Sequence, residues 1–332
     1  MARQSKPARP WHDYRSFLER RYGGRVYRVP LDLGFGCPHR DPETLAGGCT
    51  FCGSTGSRAV FLRARTPLAE QVRQGLEFGR RRYDAAIFVA YFQAFTSTHA
   101  PVQVLRERVS EALAAADFRG IVISTRPDCL PPETLDFLES LTQTWDVWVE
   151  LGIQSADDET LRRINRRHDF AAGRAAVFAL AERGIHPAAH VILGLPGEGP
   201  PQFQKTACEL RKLPLEGVKI HNLHVVRGTP LAEEWRQGRV EVMDEHEYAG
   251  HLMRFLENIP WEWPVMRLVS DTDPKRLLAP RWWMSKGAFI EYLDKRMRAQ
   301  GARQGDALAA REQSPAGRKT TPRNPGKTRT NP

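Results

Sequence analysis

Three of the five cysteines in this 332-residue chain lie within one stretch of sixteen residues. Cys37, Cys49 and Cys52 have the spacing C-x11-C-x2-C, and Phe51 stands directly before the last of them. The stretch is rich in Gly and Pro and follows an apolar run at 26–33, so it is predicted to be a loop at the end of a strand. Three thiolates on one loop can bind one metal centre. Because an iron–sulfur cluster usually takes four protein ligands, a set of three leaves one iron open to a substrate or cofactor.

A structural zinc site is the alternative for this loop. Zinc prefers four protein ligands in a closed site, and His39 could supply the fourth beside the three cysteines. The loop alone leaves both metal centres open. Anaerobic reconstitution separates them, because a zinc protein lacks the absorbance of an iron–sulfur chromophore near about 400 nm.

The composition is ordinary for a globular protein, with 41% hydrophobic and 27% charged residues. No apolar run approaches the roughly 18 residues of a membrane span, and the basic N-terminus lacks the apolar region of a secretory signal. An odd number of cysteines in so long a chain does not indicate a disulfide framework. We therefore expect a cytoplasmic protein without a membrane segment.

Strand and helix patterns alternate along the chain, as expected for βα units of a parallel sheet. Strands are predicted at 26–33, 85–91, 120–124, 146–153, 186–193 and 217–224. Six such units with right-handed crossovers predict an α/β fold, a partial (β/α)6 barrel of the TIM type. Helices predicted near 230–237, 244–258 and 285–298, with a short strand at 265–269, indicate a helical C-terminal extension.

Four regions are expected: an N-terminal helical segment at 1–25, the barrel core at 26–230, an extension packing on the barrel at 231–298, and a disordered basic tail at 299–332. Residues 295–332 contain ten Lys or Arg and two Asp or Glu, so they carry +8 of the total formal charge of +10. Such a tail is either a solubilising extension or an electrostatic arm for RNA or DNA.

Polar and Gly-rich segments follow every predicted strand, which is where barrel enzymes place their chemistry. The histidines near these strand ends are ambiguous. His221 and His224 are three residues apart on a predicted strand, so they should point to opposite faces, with at most one facing the barrel. His186 and His190, on the strand before it, are predicted to be structural.

These features together resemble the radical S-adenosylmethionine (radical SAM) enzymes, and among them the bacterial YhcC-like family of the elongator/coproporphyrinogen-oxidase-like group. Besides the cysteine loop, the resembling stretches are 91–98, 125–131, 150–155, 164–169, 190–198 and 219–230. The resemblance as a whole covers about residues 10–290. The commonest radical SAM spacing is C-x3-C-x2-C, and the longer first interval found here resembles the narrower family.

The resemblance implies that Cys37, Cys49 and Cys52 hold a [4Fe-4S] cluster whose open iron binds S-adenosylmethionine. Reductive cleavage would then give a 5′-deoxyadenosyl radical that abstracts hydrogen from a substrate. The cofactor-binding residues that it implies are Gln93, Gln154, Ser155, Arg166, Ile192 and Gly194. Gln93 lies where many relatives have a Gly-Gly-Glu turn. An electron donor such as flavodoxin or ferredoxin is also implied.

The leading hypothesis is therefore a radical SAM enzyme that modifies an unidentified substrate, with tRNA as a candidate because of the basic tail. One alternative is a non-catalytic iron–sulfur protein that binds nucleic acid or transfers electrons. Another is a radical SAM enzyme of small-molecule or cofactor biosynthesis.

Overall fold

The computed structural model describes residues 8–41, 47–54, 56 and 66–313. Residues 42–46 of the long cysteine interval and residues 314–332 of the predicted tail lie outside the described residues. Among the described residues, no helix has both the length and the apolar character that crossing a membrane requires.

In the part of the chain that the structure describes, seven parallel strands form the main sheet in the order β1-β2-β3-β4-β5-β6-β8. They are β1 (Val26–Leu31), β2 (Ile87–Phe92), β3 (Gly120–Thr125), β4 (Asp146–Gln154), β5 (His186–Leu193), β6 (Gly217–Asn222) and β8 (Val265–Arg267). A separate antiparallel pair is formed by β7 (Val225–Val226) and β9 (Leu277–Ala279). The strands are nearly continuous apolar runs because both faces of a parallel sheet are covered. The predicted partial barrel is confirmed, with β8 added as a seventh strand.

Helices connect the strands and form the C-terminal extension. They are α1 (Tyr14–Tyr22), α2 (Leu68–Tyr83), α3 (Val102–Ala114), α4 (Pro132–Leu141), α5 (Asp158–Arg163), α6 (Phe170–Ala181), α7 (Pro200–Leu210), α8 (Pro230–Arg236), α9 (Glu245–Glu257), α10 (Lys286–Ala299) and α11 (Asp306–Gln313). Side-chain N-caps such as Asp157 and Asp169 accept hydrogen bonds from the first turn and fix where a helix begins. The outer helices pack on the convex face of the sheet, where Leu105, Leu138 and Val177 are fully buried.

Helix α1 closes the inside of the barrel near the N-terminal ends of the strands. Its Tyr14 and Leu18 pack with Val122 and Trp148 in an apolar cluster on the inner face of the sheet. The segment before α1 also bonds to the edge strand β8, because the backbone N–H of Val265 donates to the carbonyl of His12. This apolar closure leaves the opposite end of the barrel, at the C-terminal ends of the strands, for a polar site.

The predicted start of the disordered tail at residue 299 is wrong, because the structure describes helix α11 and a buried Gln304 beyond it. The Gln304 amide donates to the carbonyls of Pro260 and Trp263 and accepts from the backbone N–H of His12. One side chain therefore ties the N-terminal segment to the C-terminal extension. Because this region is polar in composition, no apolar pattern in the sequence predicts that packing.

Candidate active site

A cavity of about 440 Å³ lies at the C-terminal ends of the strands. Its volume falls within the range of about 300–1,000 Å³ that is usual for cofactor and small-ligand sites. Seven of the nine predicted site residues line it: Cys37, Cys49, Cys52, Gln93, Gln154, Arg166 and Ile192. A second cavity, of about 520 Å³ and lined by residues of α9 and the segment before α10, shares no lining residue with it.

The second half of the cysteine loop (residues 37–52) is attached to two helices through backbone groups. The Thr50 N–H donates to the Ile164 carbonyl at 3.0 Å, and its carbonyl accepts from the Leu231 N–H at 3.0 Å. The Asn165 side chain donates to the Gly48 carbonyl at 2.7 Å. These bonds hold the turn that carries Cys49 and Cys52 between the end of α5 and the start of α8.

Arg40 contributes the best-defined contact of the long interval. Its guanidinium donates to the carbonyls of Cys52 and Gly53, at 2.8 and 3.0 Å, and its side chain is nearly buried. Gly48 has a φ of +82°, and a side chain there would press on the Arg40 guanidinium. The described part of the interval thus folds back on the cysteine that ends the motif.

The three thiols line one cavity but have different surroundings. The Sγ of Cys37 lies 3.0 Å from the Thr96 hydroxyl, and the Sγ of Cys49 lies 3.5 Å from Arg166 Nη1. Burial raises the pKa of the Cys52 thiol to about 11, and a bound metal would favour its thiolate.

Within the described ranges, no three Cys, His, Asp or Glu side chains are grouped so that they could hold a single metal ion. A four-iron cluster is held differently, because each thiolate binds its own iron and the ligands do not have to meet at one point. His39, the fourth ligand of the zinc alternative, lies with its Nε2 3.5 Å from an Asp128 carboxylate oxygen and also lines the cavity.

A bulge at the end of β4 sets the direction of the Gln154 side chain and leaves space for the side chain of Arg166. The pairing with β5 shifts between Gly152 and Gln154, and Gln154 has a φ of +72°. Arg166 Nη2 donates to the Gly152 carbonyl, and a side chain at Gly152 would come within 2.6 Å of that nitrogen. A side chain at Gly152 would therefore displace the Arg166 guanidinium from its present position.

Two buried polar atoms here have no hydrogen-bond partner among the described residues: Gln154 Oε1 and Arg166 Nε. Buried polar groups are almost always paired, so unpaired ones in a cavity wall indicate a polar ligand. A guanidinium beside one cysteine and an amide acceptor at the end of β4 suit the carboxylate and the amino or hydroxyl groups of S-adenosylmethionine. With three thiols in the same cavity, the residues present fit a cluster together with this cofactor.

Arg126 is a positioning residue that sequence reasoning left without a role. It donates in a fork to Asp128, with both nitrogens at 2.8 Å, and Nη2 also donates to the Arg166 carbonyl at 2.7 Å. The fork therefore fixes the backbone that carries Arg166. Its signal in the sequence is the Arg-Pro-Asp triplet directly after a strand.

Ser155 and Gly194 do not line the cavity, although the resemblance implied a direct cofactor contact for both. The Ser155 hydroxyl donates to Glu198 at 2.5 Å, because the residue after the bulge points to the other side of the sheet. Gly194 has a φ of +92° and faces Met243. Both residues shape the turns behind the cavity wall.

Tyr91, Glu150 and Lys219 meet inside the barrel and form the polar floor of the cavity. Lys219 Nζ donates at 2.6 Å to both the Glu150 carboxylate and the Tyr91 oxygen, and the Tyr91 hydroxyl donates to Glu150 at 2.7 Å. Arg28 donates to the other oxygen of the same carboxylate at 2.8 Å. Burial alone would raise the pKa of Glu150, but the charges of Lys219 and Arg28 outweigh it and hold this pKa below its usual range.

Three histidines of β5, β6 and the following loop line the cavity: His190, His221 and His224. His190, which is predicted to be structural, lies in the cavity wall, and the prediction that at most one of His221 and His224 faces the barrel is wrong. Strand β6 ends at Asn222, so the alternation of faces does not extend to His224. Burial lowers the pKa of His190 and His221 well below the usual value, with smaller contributions from nearby positive charges, so both rings are neutral at pH 7.

Two known protein-family patterns together match most of the chain. The Radical SAM superfamily pattern covers residues 32–209, and the Radical_SAM C-terminal domain pattern covers residues 215–299.

Two relatives extend over nearly the full length. The chain is 36% identical to the uncharacterized protein YtqA of Bacillus subtilis (strain 168), over 94% of this chain and 97% of that protein. It is 38% identical to protein YhcC of Escherichia coli (strain K12), over 88% and 93%.

A solved structure shares the fold. The archaeal Elp3 of Methanocaldococcus infernus, with residues 1–46 deleted, superposes with a TM-score of 0.65 at 17% identity, covering 84% of this chain and 64% of that chain. The seven-stranded partial barrel, the cavity at its strand ends and these matches lead to one conclusion: the chain belongs to the radical SAM superfamily and, within it, to the YhcC-like family.

Proposed function

We propose that the protein is a radical SAM enzyme that cleaves S-adenosylmethionine reductively and uses the resulting radical on a substrate. The observation that carries the proposal is the meeting of three thiols with the unpaired Gln154 and Arg166 groups in one cavity. Superfamily membership supports the same chemistry, since radical SAM proteins are generally enzymes. A non-catalytic iron–sulfur protein would not need the polar groups that face the cluster position.

In this proposal Cys37, Cys49 and Cys52 hold a [4Fe-4S] cluster, which when bound supplies the electron that splits S-adenosylmethionine into methionine and a 5′-deoxyadenosyl radical. Arg166 pairs with the methionine carboxylate, a use for which a planar guanidinium is well suited. Gln154 accepts a hydrogen bond from the cofactor.

Five further residues complete the proposed cofactor site. Gln93, at the end of β2, lies beside the amino group, and Ile192 packs against the adenine. Ser155 and Gly194 act as positioning residues through the turns they occupy. Phe51 lines the cavity beside the cysteines and excludes water from the cluster.

Anaerobic reconstitution with iron and sulfide, followed by reduction and assay of 5′-deoxyadenosine, tests the proposal. We expect absorbance near about 400 nm and 5′-deoxyadenosine release by the wild type. Cys49→Ala should lose both. Cys208→Ala, on α7 and away from the cavity lining, is the matched control and should keep both. Release that is unaffected by Cys49→Ala would overturn the ligand assignment, and a colourless zinc protein would overturn the cluster.

We propose RNA as the substrate class, with tRNA the first candidate, because the chain ends in a strongly basic segment. Residues 314–332 contain five Lys or Arg and no Asp or Glu. Electrostatic attraction to phosphates is the main source of affinity for such segments. A flavodoxin or ferredoxin is the electron donor we propose, and a reducing cytoplasm is the compartment, since the five cysteines are free thiols.

A small-molecule substrate is the second candidate, and the size of the cavity favours it. A volume of about 440 Å³ must also hold S-adenosylmethionine, so only a small group of the substrate fits beside it. Profiling of modified nucleosides and of small metabolites in a deletion strain separates the two candidates. A missing nucleoside supports RNA, and an accumulated metabolite with unchanged nucleosides supports the small molecule.

A further inference from the structure

Six cationic side chains of the described residues line the cavity: Arg40, Arg126, Arg166, Lys219, Arg267 and Arg276. Most are already engaged by groups of the protein. Arg40 donates to the carbonyls of the cysteine loop, Arg126 and Lys219 pair with carboxylates, and Arg276 donates to Ser54. Arg166 is assigned above to the carboxylate of S-adenosylmethionine. Among the cations that the structure describes in the lining, Arg267 remains for another ligand.

Arg267 ends β8 and has no carboxylate within ion-pair distance in the described part of the chain. The contact that it makes is to a histidine ring, with Nη1 3.1 Å from His221 Nε2. His221 in turn packs edge-on against His190, with ring centroids 4.2 Å apart. The Nε2 atom of His190 is buried and has no hydrogen-bond partner among the described residues. A guanidinium and two imidazoles thus face the cavity from three adjacent strands.

The surroundings of this group carry an excess of positive charge. Lys219 is the register partner of Arg267 on β6, and it pairs with Glu150, which Arg28 also contacts. Lys286, whose pKa is lowered by burial and by the Arg267 charge, pairs with Asp271 at 3.4 Å. Lys286 and Asp271 are partly exposed and balance each other, so Arg28, Lys219 and the half-buried Arg267 share the Glu150 carboxylate, a net charge of +2. Buried charge of one sign is unfavourable unless an opposite charge compensates it.

The hydrogen-bond donors of Arg267, His190 and His221 also indicate which shape of anion would fit between them. A guanidinium presents a planar fork that binds two oxygens of a carboxylate or a phosphate. The two imidazoles can each add one ring N–H donor, from the neighbouring strands β5 and β6. A phosphate group carries four oxygens at the corners of a tetrahedron, three of them strong acceptors in a monoester, whereas a carboxylate offers two oxygens in one plane with its carbon.

We propose that Arg267, together with His190 and His221, binds a phosphate group of the substrate. The proposal rests on the function proposed above, because it assigns Arg166 and the cysteine side of the cavity to the cofactors. A phosphodiester of RNA and a phosphorylated small molecule share this chemistry. The phosphate would neutralise the excess charge at β8 and hold the adjoining part of the substrate over the polar floor.

Binding of inorganic phosphate to the full-length chain, without cluster or S-adenosylmethionine, tests the site by ³¹P NMR titration at constant ionic strength in chloride. The wild type should bind phosphate saturably. Arg267→Gln should weaken binding by about 10-fold or more, while Arg267→Lys, which keeps the charge but not the fork, should weaken it less. Arg281→Gln changes an exposed arginine of the other cavity and should leave binding unchanged. Thermal unfolding of each variant establishes that it is folded.

Two further probes distinguish the source of the phosphate: a single-stranded oligoribonucleotide and glucose 6-phosphate. Tighter binding of the RNA than of inorganic phosphate, lost in Arg267→Gln, supports a phosphodiester, and the same behaviour of the sugar phosphate supports a small molecule. Equal phosphate binding by the wild type and Arg267→Gln overturns the proposal, as does a wild type that binds none. These results do not depend on 5′-deoxyadenosine release, so failure of the phosphate site and failure of the enzyme are seen separately.

Discussion

Arg166 is the residue that most directly joins the cysteine loop to the rest of the cavity. Its guanidinium lies between the Cys49 thiol and the Gly152 carbonyl, and the Arg126 fork holds its backbone. It is almost fully buried, and its Nε has no partner in the described part of the chain. Because the Arg166 guanidinium is held in one position, it can pair only with a ligand whose anionic group lies beside that position.

Arg166→Lys should therefore weaken binding of S-adenosylmethionine to the reconstituted protein by about 10- to 100-fold. A lysine keeps the charge but loses the fork, and charge-assisted hydrogen bonds contribute about 1.5–3 kcal/mol. Isothermal titration calorimetry measures the change. Arg167→Lys, at the exposed neighbouring position, is the control and should bind as the wild type does. Equal weakening in both variants would contradict the role given to Arg166.

Lys219 is a buried charged residue on β6, and it pairs with the Glu150 carboxylate inside the barrel. Removing one partner of a buried ion pair costs about 3–5 kcal/mol because the other charge is left uncompensated. Arg28 remains beside Glu150 and should limit the loss, so Lys219→Met is expected to lower the free energy of unfolding by about 3 kcal/mol.

Urea denaturation of the chain without cofactors measures this loss. The exposed pair of Lys205 and Asp157 provides the comparison, and Lys205→Met should cost less than about 1 kcal/mol. The double variant Lys219→Met, Glu150→Gln should lose less than the sum of its single changes, because the two side chains are in contact. Additive losses would show that the pair is not coupled.

At the scale of elements, the turn after β5 is joined to the end of β4 by a carboxylate. Glu198 accepts the Ser155 hydroxyl, and burial raises its pKa to about 7 from a usual value of 4.5. At pH values between 4.5 and about 7, the folded chain therefore keeps a proton on Glu198 that the unfolded chain has released. The stability that this proton supplies is complete below about pH 4.5 and is lost as the pH rises through about 7.

Glu198→Gln should remove this pH dependence, because the amide stays neutral. The free energy of unfolding of the wild type, relative to that of Glu198→Gln, should fall between pH 5 and pH 8. Urea denaturation at several pH values measures the difference. Glu107→Gln, on the exposed face of α3, should show no such trend. A constant difference between wild type and Glu198→Gln would mean that Glu198 titrates normally.

The sequence predicts elements better than it predicts the directions of their side chains. Six strands and the cysteine loop follow from apolar runs and motif spacing, because both are local properties. The inward positions of His190 and Lys219 depend on the register between strands, and the turn of Ser155 away from the cavity depends on a bulge. Those features arise from pairing across the sheet, which no local pattern contains.

At the scale of the whole molecule, the distribution of charge suggests a division of labour between the barrel and the C-terminus. The cavity gathers cations at β8 and beside the cysteine loop, whereas residues 314–332 add a net +5 at the end of the sequence. If both act on one polyanion, the terminal segment supplies affinity that does not depend on sequence, and the cavity selects the reacting group.

Deletion of residues 314–332 should weaken binding of a single-stranded RNA and make it less sensitive to salt. Each phosphate neutralised contributes about −0.7 to the slope of log K against log salt concentration, so loss of five cations should reduce the slope by up to about 3.5. Fluorescence anisotropy over a series of salt concentrations measures it, and replacing the same segment by a neutral one of equal length is the control for chain length. An unchanged slope would remove the tail from RNA binding.

The attachment of the cysteine loop bears on whether the protein folds before or after it receives a cluster. Backbone bonds from α5 and α8, the Asn165 amide and the Arg40 guanidinium all shape the loop through groups of the protein itself. In zinc fingers, by contrast, the metal supplies the folding energy and the chain unfolds without it. Here folding should come first and delivery of iron and sulfide second. The newly made chain would then be a stable acceptor for the cell's cluster-assembly machinery, able to lose a damaged cluster and be recharged without refolding.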